Sequence, residues 1–158
     1  MPETQPDSGT DSELTITRVF DAPRELVFAA WTDPDHLASW LGPSGFTGCA
    51  VTLDTREGGH WRACIRSPEG DEHWMRGVYR EITAPARLVF TFGWDADGDR
   101  GVDTLVTIDF ADLGGKTEMT FTQTGFPTVA ERDGHHDGWT SSFDDLAGGL
   151  HLRREETR

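Results

Sequence analysis

Six strand-like segments follow one another between residues 47 and 124, and this succession constrains the fold more than any other feature of the chain. Alternation of apolar and polar residues predicts strands over 47–55, 60–66, 72–83, 87–94, 102–112 and 116–124. Short turn sequences such as REGG, SPEGD and LGG separate them. Strands joined by connections this short pair as antiparallel neighbours. The sequence therefore predicts an antiparallel meander.

Helical patterns flank the meander on both sides. After a strand over Leu14–Phe20, Pro23 suits a first helical position and Asp33 suits an N-cap, so two short helices are expected. Near the C-terminus, apolar residues fall at the spacing of one helix face: Trp139, Phe143, Leu146 and Leu150. A long sheet with helices on one face is an α+β architecture, and the terminal helix is expected to fill its concave side.

The length of 158 residues fits one domain with a core of its own. Residues 1–12 are polar and predict a disordered leader. Residues 13–152 are expected to form the single folded domain, and residues 153–158 a polar, solvated tail.

The acidity of the chain limits its partners. Its formal net charge is −14, whereas nucleic acids and anionic membrane surfaces both attract basic proteins, so neither is expected to bind. No apolar run reaches the roughly 18–20 residues that span a bilayer, and the leader lacks the regions of a signal peptide. We therefore expect a cytoplasmic protein whose acidity mainly keeps it soluble.

The two cysteines, Cys49 and Cys64, are too few for a zinc set or a disulfide framework. A three-residue loop at 56–58 sets three apolar pairs opposite each other: Leu53 and Trp61, Val51 and Ala63, Cys49 and Ile65. A slip by one residue would bring arginines onto this apolar face. In this register the two cysteines point to opposite sides of the sheet, with Cys64 toward solvent, so no disulfide is predicted.

Large aromatic side chains are the main candidates for the concave face. They are Trp40, Trp61, Trp74, Phe90, Phe92, Trp94, Phe121, Trp139 and Phe143. Rings of this size mostly fill a core. On the strand over 72–83 the pattern leaves two alternatives open: either His73 and Met75, or Trp74 and Arg76, face inward.

The pair His135–His136 precedes the apolar face of the terminal helix. Adjacent residues on a helix diverge by about 100°, which hinders chelation of one ion by both rings. A metal site needs three or four converging ligands, and the further candidates are His60, His73, Asp54 and Asp137. Three interpretations stay open: polar residues at a pocket mouth, which we prefer, a ligand-contact or acid–base role, and a metal site. We predict no metal, no cofactor and no catalytic residue.

Four segments carry a resemblance to a known family: RVFDAPRELVFAAWTDPDHLASWLGP, DTREGGHWR, GVYREITAPARLVFTFGW and GHHDGWTSSFDDLAGGL. Together they resemble the activator of heat-shock protein ATPase homolog-like (Aha-type) branch of the START-related (SRPBCC) superfamily, to which polyketide cyclases and pollen-allergen proteins also belong. The resemblance spans about Leu14 to Leu150. It implies a helix-grip fold, in which a curved antiparallel sheet of six to seven strands wraps around a long C-terminal helix and leaves a tunnel between them.

The implied tunnel predicts a small-molecule binding protein for a hydrophobic, aromatic or polycyclic ligand. Such sites are mainly apolar, with a few polar groups that orient the ligand. The candidate ligand-binding residues are Trp61, Phe92, Trp94, Thr104, Phe121, Gln123, His135, His136, Trp139 and Phe143. Thr104 and Gln123 are included because they share the face of the apolar residues on their strands.

Two other function classes are kept as alternatives. A cyclase- or aromatase-like enzyme would act on a polyketide-type substrate with a histidine as acid or base. A protein-interaction module would dock a partner, as the co-chaperone role implied by the branch name suggests, although that role belongs to larger proteins. A homodimer is also compatible with the exposed sheet edges.

Overall fold

The computed structural model describes residues 12–43, 45–94 and 104–156. Its strands are β1 (Glu13–Phe20), β2 (Thr47–Leu53), β3 (His60–Arg66), β4 (Glu72–Thr83), β5 (Arg87–Trp94), β6 (Thr104–Asp112) and β7 (Thr117–Thr124). Its helices are α1 (Arg24–Thr32), α2 (Pro34–Trp40) and α3 (Val129–Glu156), so the last helix extends into the predicted tail. The predicted leader up to residue 11 and the start of the strand predicted over 102–112 lie outside the described residues. The order of elements confirms the α+β prediction.

The seven strands form one antiparallel sheet in the order β1-β7-β6-β5-β4-β3-β2. Strands β2 to β7 follow each other as the predicted meander. Strand β1 closes the far side by pairing with β7, from Glu13 opposite Thr124 to Phe20 opposite Thr117. The topology is that of a helix-grip fold.

The core lies between the concave face of the sheet and α3. The predicted apolar stripe of α3 is buried along its whole length. Trp31 of α1 lies at the centre of the ring cluster. Its ring centroid is 4.8 Å from that of Trp40, 5.8 Å from Trp139, and 6.0 Å from both Phe121 and Phe143. One indole therefore joins both short helices, the sheet and the long helix.

Local signals in the sequence are realised at the predicted places. The Asp33 carboxylate accepts the backbone N–H groups of Asp35 at 3.0 Å and His36 at 3.4 Å, which caps α2. The two three-residue loops close with glycines in the left-handed region, Gly58 at φ 84° and Gly70 at φ 94°.

The prediction that the two cysteines stay apart is wrong, because Cys49 and Cys64 form a disulfide. The pairs Leu53–Trp61 and Val51–Ala63 have the predicted register. A β-bulge between Gly48 and Ala50 then adds one residue to β2, so that Cys49 is not opposite Ile65. Because a bulge breaks the alternation of side chains, Cys49 reaches the face of Cys64. Cys64 is fully buried rather than exposed to solvent.

The structure settles the open alternative on β4. His73 and Met75 face the concave side, because Met75 is opposite the buried Ala63. Trp74 lies on the convex side, opposite Cys64, with the Arg62 guanidinium 4.2 Å from its ring. The prediction that Trp74 belongs to the concave face is therefore wrong.

The disulfide makes a direct prediction about stability. It closes a loop with a sequence separation of 15, and constraining such a loop in the unfolded chain is worth about 3 kcal/mol. We expect a reductant to lower the free energy of unfolding by about that amount, as measured by urea denaturation with and without dithiothreitol.

The control is the double variant Cys49→Ala/Cys64→Ala, which should respond to urea equally with and without reductant. Two reactive thiols per chain in denatured, never-reduced protein would contradict the disulfide. The same thiol count bears on the predicted cytoplasmic location, because disulfides persist mainly in oxidising compartments. That location stays a prediction.

Candidate functional site

A cavity of about 360 Å³ opens between the loop after α2, strands β3 to β5 and the first half of α3. Its lining is mainly apolar and aromatic. The lining residues are Leu41, Gly42, Pro43, Phe46, Ile65, His73, Met75, Phe92, Trp94, Glu131, Gly134, His135, Gly138, Trp139 and Ser142. This volume lies in the range of small-molecule sites. We call it the main cavity.

A much smaller gap of about 20 Å³ lies deeper in the core. It shares four lining residues with the main cavity, namely Leu41, Met75, Phe92 and Trp139. The gap has room for about one water molecule. Trp31 also lines it, and the buried indole N–H of Trp31 has no hydrogen-bond partner among the described residues. The ring cluster thus fills most of the inner part of this space, and the larger open volume is the main cavity.

Trp94 is held to α3 by a hydrogen bond to His135. The indole Nε1 of Trp94 lies 2.9 Å from His135 Nε2, and His135 Nδ1 lies 2.8 Å from the carbonyl oxygen of Glu131. An indole N–H can only donate, so Nε2 is the acceptor. His135 is therefore assigned as the neutral tautomer whose Nδ1–H donates to Glu131.

This pair separates the main cavity from a third one of about 230 Å³. The third cavity shares Phe92, Trp94, Glu131 and His135 with the main cavity, and Thr104 lines the third cavity alone. The Trp94–His135 pair therefore acts as a partition between the two spaces.

A chain of buried hydrogen bonds fixes α3 on the sheet. Trp139 Nε1 donates to Gln123 Oε1 at 2.8 Å, Gln123 Nε2 donates to Thr104 Oγ1 at 2.8 Å, and Thr104 Oγ1 donates to the carbonyl oxygen of Phe92 at 3.0 Å. Three strands and the helix contribute to this chain. Gln123 is fully buried, and both polar atoms of its amide are used in this chain of hydrogen bonds.

The structure distributes the ten sequence-predicted site residues over several places. Four line the main cavity, namely Phe92, Trp94, His135 and Trp139. Trp61 lines the inner gap, and Thr104 lines the third cavity. Phe121, Gln123 and Phe143 are fully buried in the core and line none of these three cavities. His136 is exposed, with Nδ1 3.5 Å from the carboxylate of Asp137.

Trp61 reaches across β4 to bond with β5. Its indole Nε1 donates to the carbonyl oxygen of Thr91 at 3.1 Å. Gly77 permits this crossing, because a Cβ at that position would lie 2.4 Å from the Trp61 nitrogen and 1.8 Å from the Thr91 oxygen. The alternation in β3 predicts that Trp61 faces inward, but not that its indole N–H bonds to the backbone of β5. That bond depends on the absence of a side chain at Gly77 on β4.

Several cavity residues were not selected from the sequence. The loop after α2 contributes Gly42, Pro43 and Phe46, and buried Ser142 accepts the N–H of Gly42 at 3.1 Å. The loop carries no periodic signal that would reveal its side-chain directions. His73 and Met75 were recognisable only as one of two alternatives, because the register of β4 was open.

Within the part of the chain that the structure describes, one group of three potential metal ligands converges. Its atoms belong to Cys49, Cys64 and Glu72 and lie within 4.8 Å of one another. The two sulfur atoms are bonded to each other, which occupies them. His135 and His136 belong to no such group among the described residues.

A comparison with protein-family models assigns the chain. Residues 21–150 match the model of the activator of Hsp90 ATPase homolog 1-like proteins. The chain belongs to this family. Membership of this family supports a ligand-binding or polyketide-cyclase-like domain. No curated protein sequence matches the chain at a significant level.

Solved structures of similar proteins agree with the family assignment. A protein from Chromobacterium violaceum is 30% identical, with a TM-score of 0.82 over 88% of this chain and 96% of that chain. An AHSA1 protein from Silicibacter pomeroyi is 29% identical, with a TM-score of 0.81 over 90% of this chain and 99% of that chain. A protein from Rhizobium leguminosarum is 26% identical, with a TM-score of 0.77 over 89% of this chain and 95% of that chain. The helix-grip fold of the family is thus the fold of this chain.

Among the described helices, none is long and apolar enough to cross a bilayer.

Tyr79, the only tyrosine of the chain, should titrate late. Burial raises the pKa of Tyr79 to about 12, and the nearby Asp54 carboxylate adds to the rise, against a hydrogen bond with Thr55 that lowers it. An unfolded tyrosine loses its proton near pH 10. Between about pH 10 and about pH 12, Tyr79 in the folded chain therefore keeps a proton that the unfolded chain has lost. We expect the contribution of Tyr79 to stability to be complete below about pH 10 and to disappear as pH rises toward about 12.

The measurement is an ultraviolet absorbance titration of the folded protein, with the urea-unfolded protein and Tyr79→Phe as controls. Circular dichroism at each pH reports whether the chain is still folded. A phenolate signal near pH 10 in folded protein would contradict the buried hydroxyl.

The Gln123–Trp139 hydrogen bond should contribute measurably to stability. Gln123→Met keeps the volume but leaves the Trp139 N–H buried without an acceptor, which costs about 1–3 kcal/mol. Urea denaturation of the single variants and of Gln123→Met/Trp139→Phe forms a double-mutant cycle. We expect the Gln123→Met cost to be smaller in the Trp139→Phe background, whereas equal costs in both backgrounds would refute the coupling.

Proposed function

We propose that the protein binds a small hydrophobic, ring-containing molecule in the main cavity between the sheet and α3. The observation that carries the proposal is the cavity itself, about 360 Å³ in volume and lined by apolar and aromatic side chains with few polar groups. Binding would derive from burial of apolar surface, at roughly 25 cal/mol per Å², and from contacts with aromatic rings.

The arrangement of the rings supports this proposal. Phe92 lies edge-on to both Trp94 and Trp139, with centroid separations of 5.5 Å and 5.9 Å. Each of the two indole rings is fixed by its own partner, because Trp94 bonds to His135 and Trp139 bonds to Gln123. A site with preformed walls costs less ordering on binding.

A cyclase-like enzyme is the second candidate, and His73 is the observation that favours it. His73 lines the main cavity and lies beside Phe46, with the ring centroids 5.9 Å apart. A histidine in a cavity can act as a general acid or base if a reacting group comes within hydrogen-bond reach. His135 is less suited, since both of its ring nitrogens are already engaged.

An interaction module receives less support from the described surface. The large apolar side chains that are exposed there are Val19, Leu105, Leu113 and Val129. They belong to four different segments of the chain, and scattered apolar residues are normal on protein surfaces. A co-chaperone-like role and a homodimer stay predictions.

Filling the main cavity should weaken binding without harming the fold. Gly138 lies on the cavity wall, and a Cβ there would contact only Pro43, at 3.8 Å. In Gly138→Leu the new side chain occupies the cavity, so we expect the affinity for the neutral tricyclic fluorophore aminoanthracene to fall by about tenfold or more. Fluorescence titration measures the affinity.

Gly148→Leu is the matched control, because Gly148 lies on the same helix, is exposed and has nothing near its Cβ position. Both substitutions favour the helix by up to about 1 kcal/mol. Equal binding by wild type and both variants would place the fluorophore outside the main cavity. Native mass spectrometry of the protein as purified then identifies any retained molecule, and a retained molecule converted on incubation would favour the enzyme.

A further inference from the structure

We propose that the ligand of the main cavity is an organic cation, an ammonium group attached to an apolar ring. This inference rests on the proposed function and adds to it the charge of the ligand. It depends on three features of the cavity wall: its aromatic side chains, the sign of its charge and the engagement of its hydrogen-bond donors.

Aromatic side chains line the main cavity on three sides. Phe46 lies in the loop after α2, Phe92 and Trp94 lie on β5, and Trp139 lies on α3. The face of an aromatic ring carries a negative potential that attracts ammonium groups, most strongly for tryptophan. Several rings around one space are the usual way in which proteins hold a quaternary ammonium ion.

The charge at the cavity has one sign. Glu131, an exposed residue at the edge of the cavity, is the acidic residue of its lining, and among the described residues that line the cavity there is no lysine or arginine. None of the ion pairs seen among the described residues includes Glu131. The net charge of −14 attracts cations to the molecule as a whole. An anionic ligand would therefore meet repulsion and a cation would meet attraction.

The hydrogen-bond donors of the wall are mostly engaged within the protein. The indole N–H of Trp94 is bound to His135, and that of Trp139 is bound to Gln123. The N–H of Gly42 is bound to Ser142, and the Nδ1–H of His135 is assigned to the Glu131 carbonyl. A ligand rich in carbonyl or carboxylate oxygens would find few partners and would pay for its lost hydration. An ammonium group with apolar substituents needs no donors.

The test compares two molecules of the same shape and different charge. Phenyltrimethylammonium carries one positive charge, and tert-butylbenzene is its neutral isostere. Each competes with aminoanthracene in a fluorescence displacement assay at low ionic strength, where charge effects are least screened. The variant is Glu131→Gln, and Asp145→Asn is the control because Asp145 is an exposed acid on the same helix that does not line the cavity.

We expect Glu131→Gln to weaken binding of phenyltrimethylammonium by roughly three- to tenfold and to leave binding of tert-butylbenzene unchanged. Asp145→Asn changes the net charge equally and should alter either affinity by less than about twofold. The indole N–H resonances of Trp94 and Trp139 should shift on addition of the cation, which locates it in the cavity.

The outcomes separate this inference from the proposed function. If tert-butylbenzene displaces the fluorophore and the cation does not, the cavity binds neutral molecules and the cation inference is overturned. If Glu131→Gln and Asp145→Asn have the same effect on the cation, the inference is likewise overturned. If aminoanthracene itself does not bind, the proposed function fails first.

Discussion

The contact of Trp139 with the concave face of the sheet is the interaction on which the rest of the structure depends. A buried indole N–H requires an acceptor, and Gln123 provides it from β7. The ring then stands against Phe121 at 4.8 Å and Trp31 at 5.8 Å. This position sets the height of α3 above the sheet, and the height decides how much space stays open beside it.

The main cavity exists because the two halves of α3 differ in side-chain size. Toward the C-terminus, Phe143, Leu146 and Leu150 fill the space against the sheet. Toward the N-terminus, the residues that line the cavity include Gly134 and Gly138, which contribute no side chain. A protein interior is normally packed without large voids, so the open end marks where apolar surface remains for a ligand. The rings of Trp94 and His135 close this space on one side.

Prediction from the sequence succeeded where a period could be counted. Alternation located the strands to within about two residues, and helical spacing selected the buried face of α3. It also assigned the register of the β2–β3 hairpin up to Val51. It failed at Cys49, because a bulge is a local departure from alternation that turn lengths do not announce. At the site, Phe92 and Trp139 were selectable as aromatic residues on inward faces, whereas Phe46 and Ser142 required the path of a loop and the rotation of a helix.

The sequence by itself determined the architecture, the apolar face of α3 and the acidity of the molecule, because these follow from residue periodicity and composition. Only the tertiary structure decided which polar groups meet. Gln123 turned inward to bind Trp139, His135 turned to bind Trp94, and His136, one residue further, turned outward beside Asp137. Adjacent residues on a helix diverge by about 100°, so the choice between the two histidines depends on the rotation of α3. That rotation is set by the packing of side chains far apart in the chain.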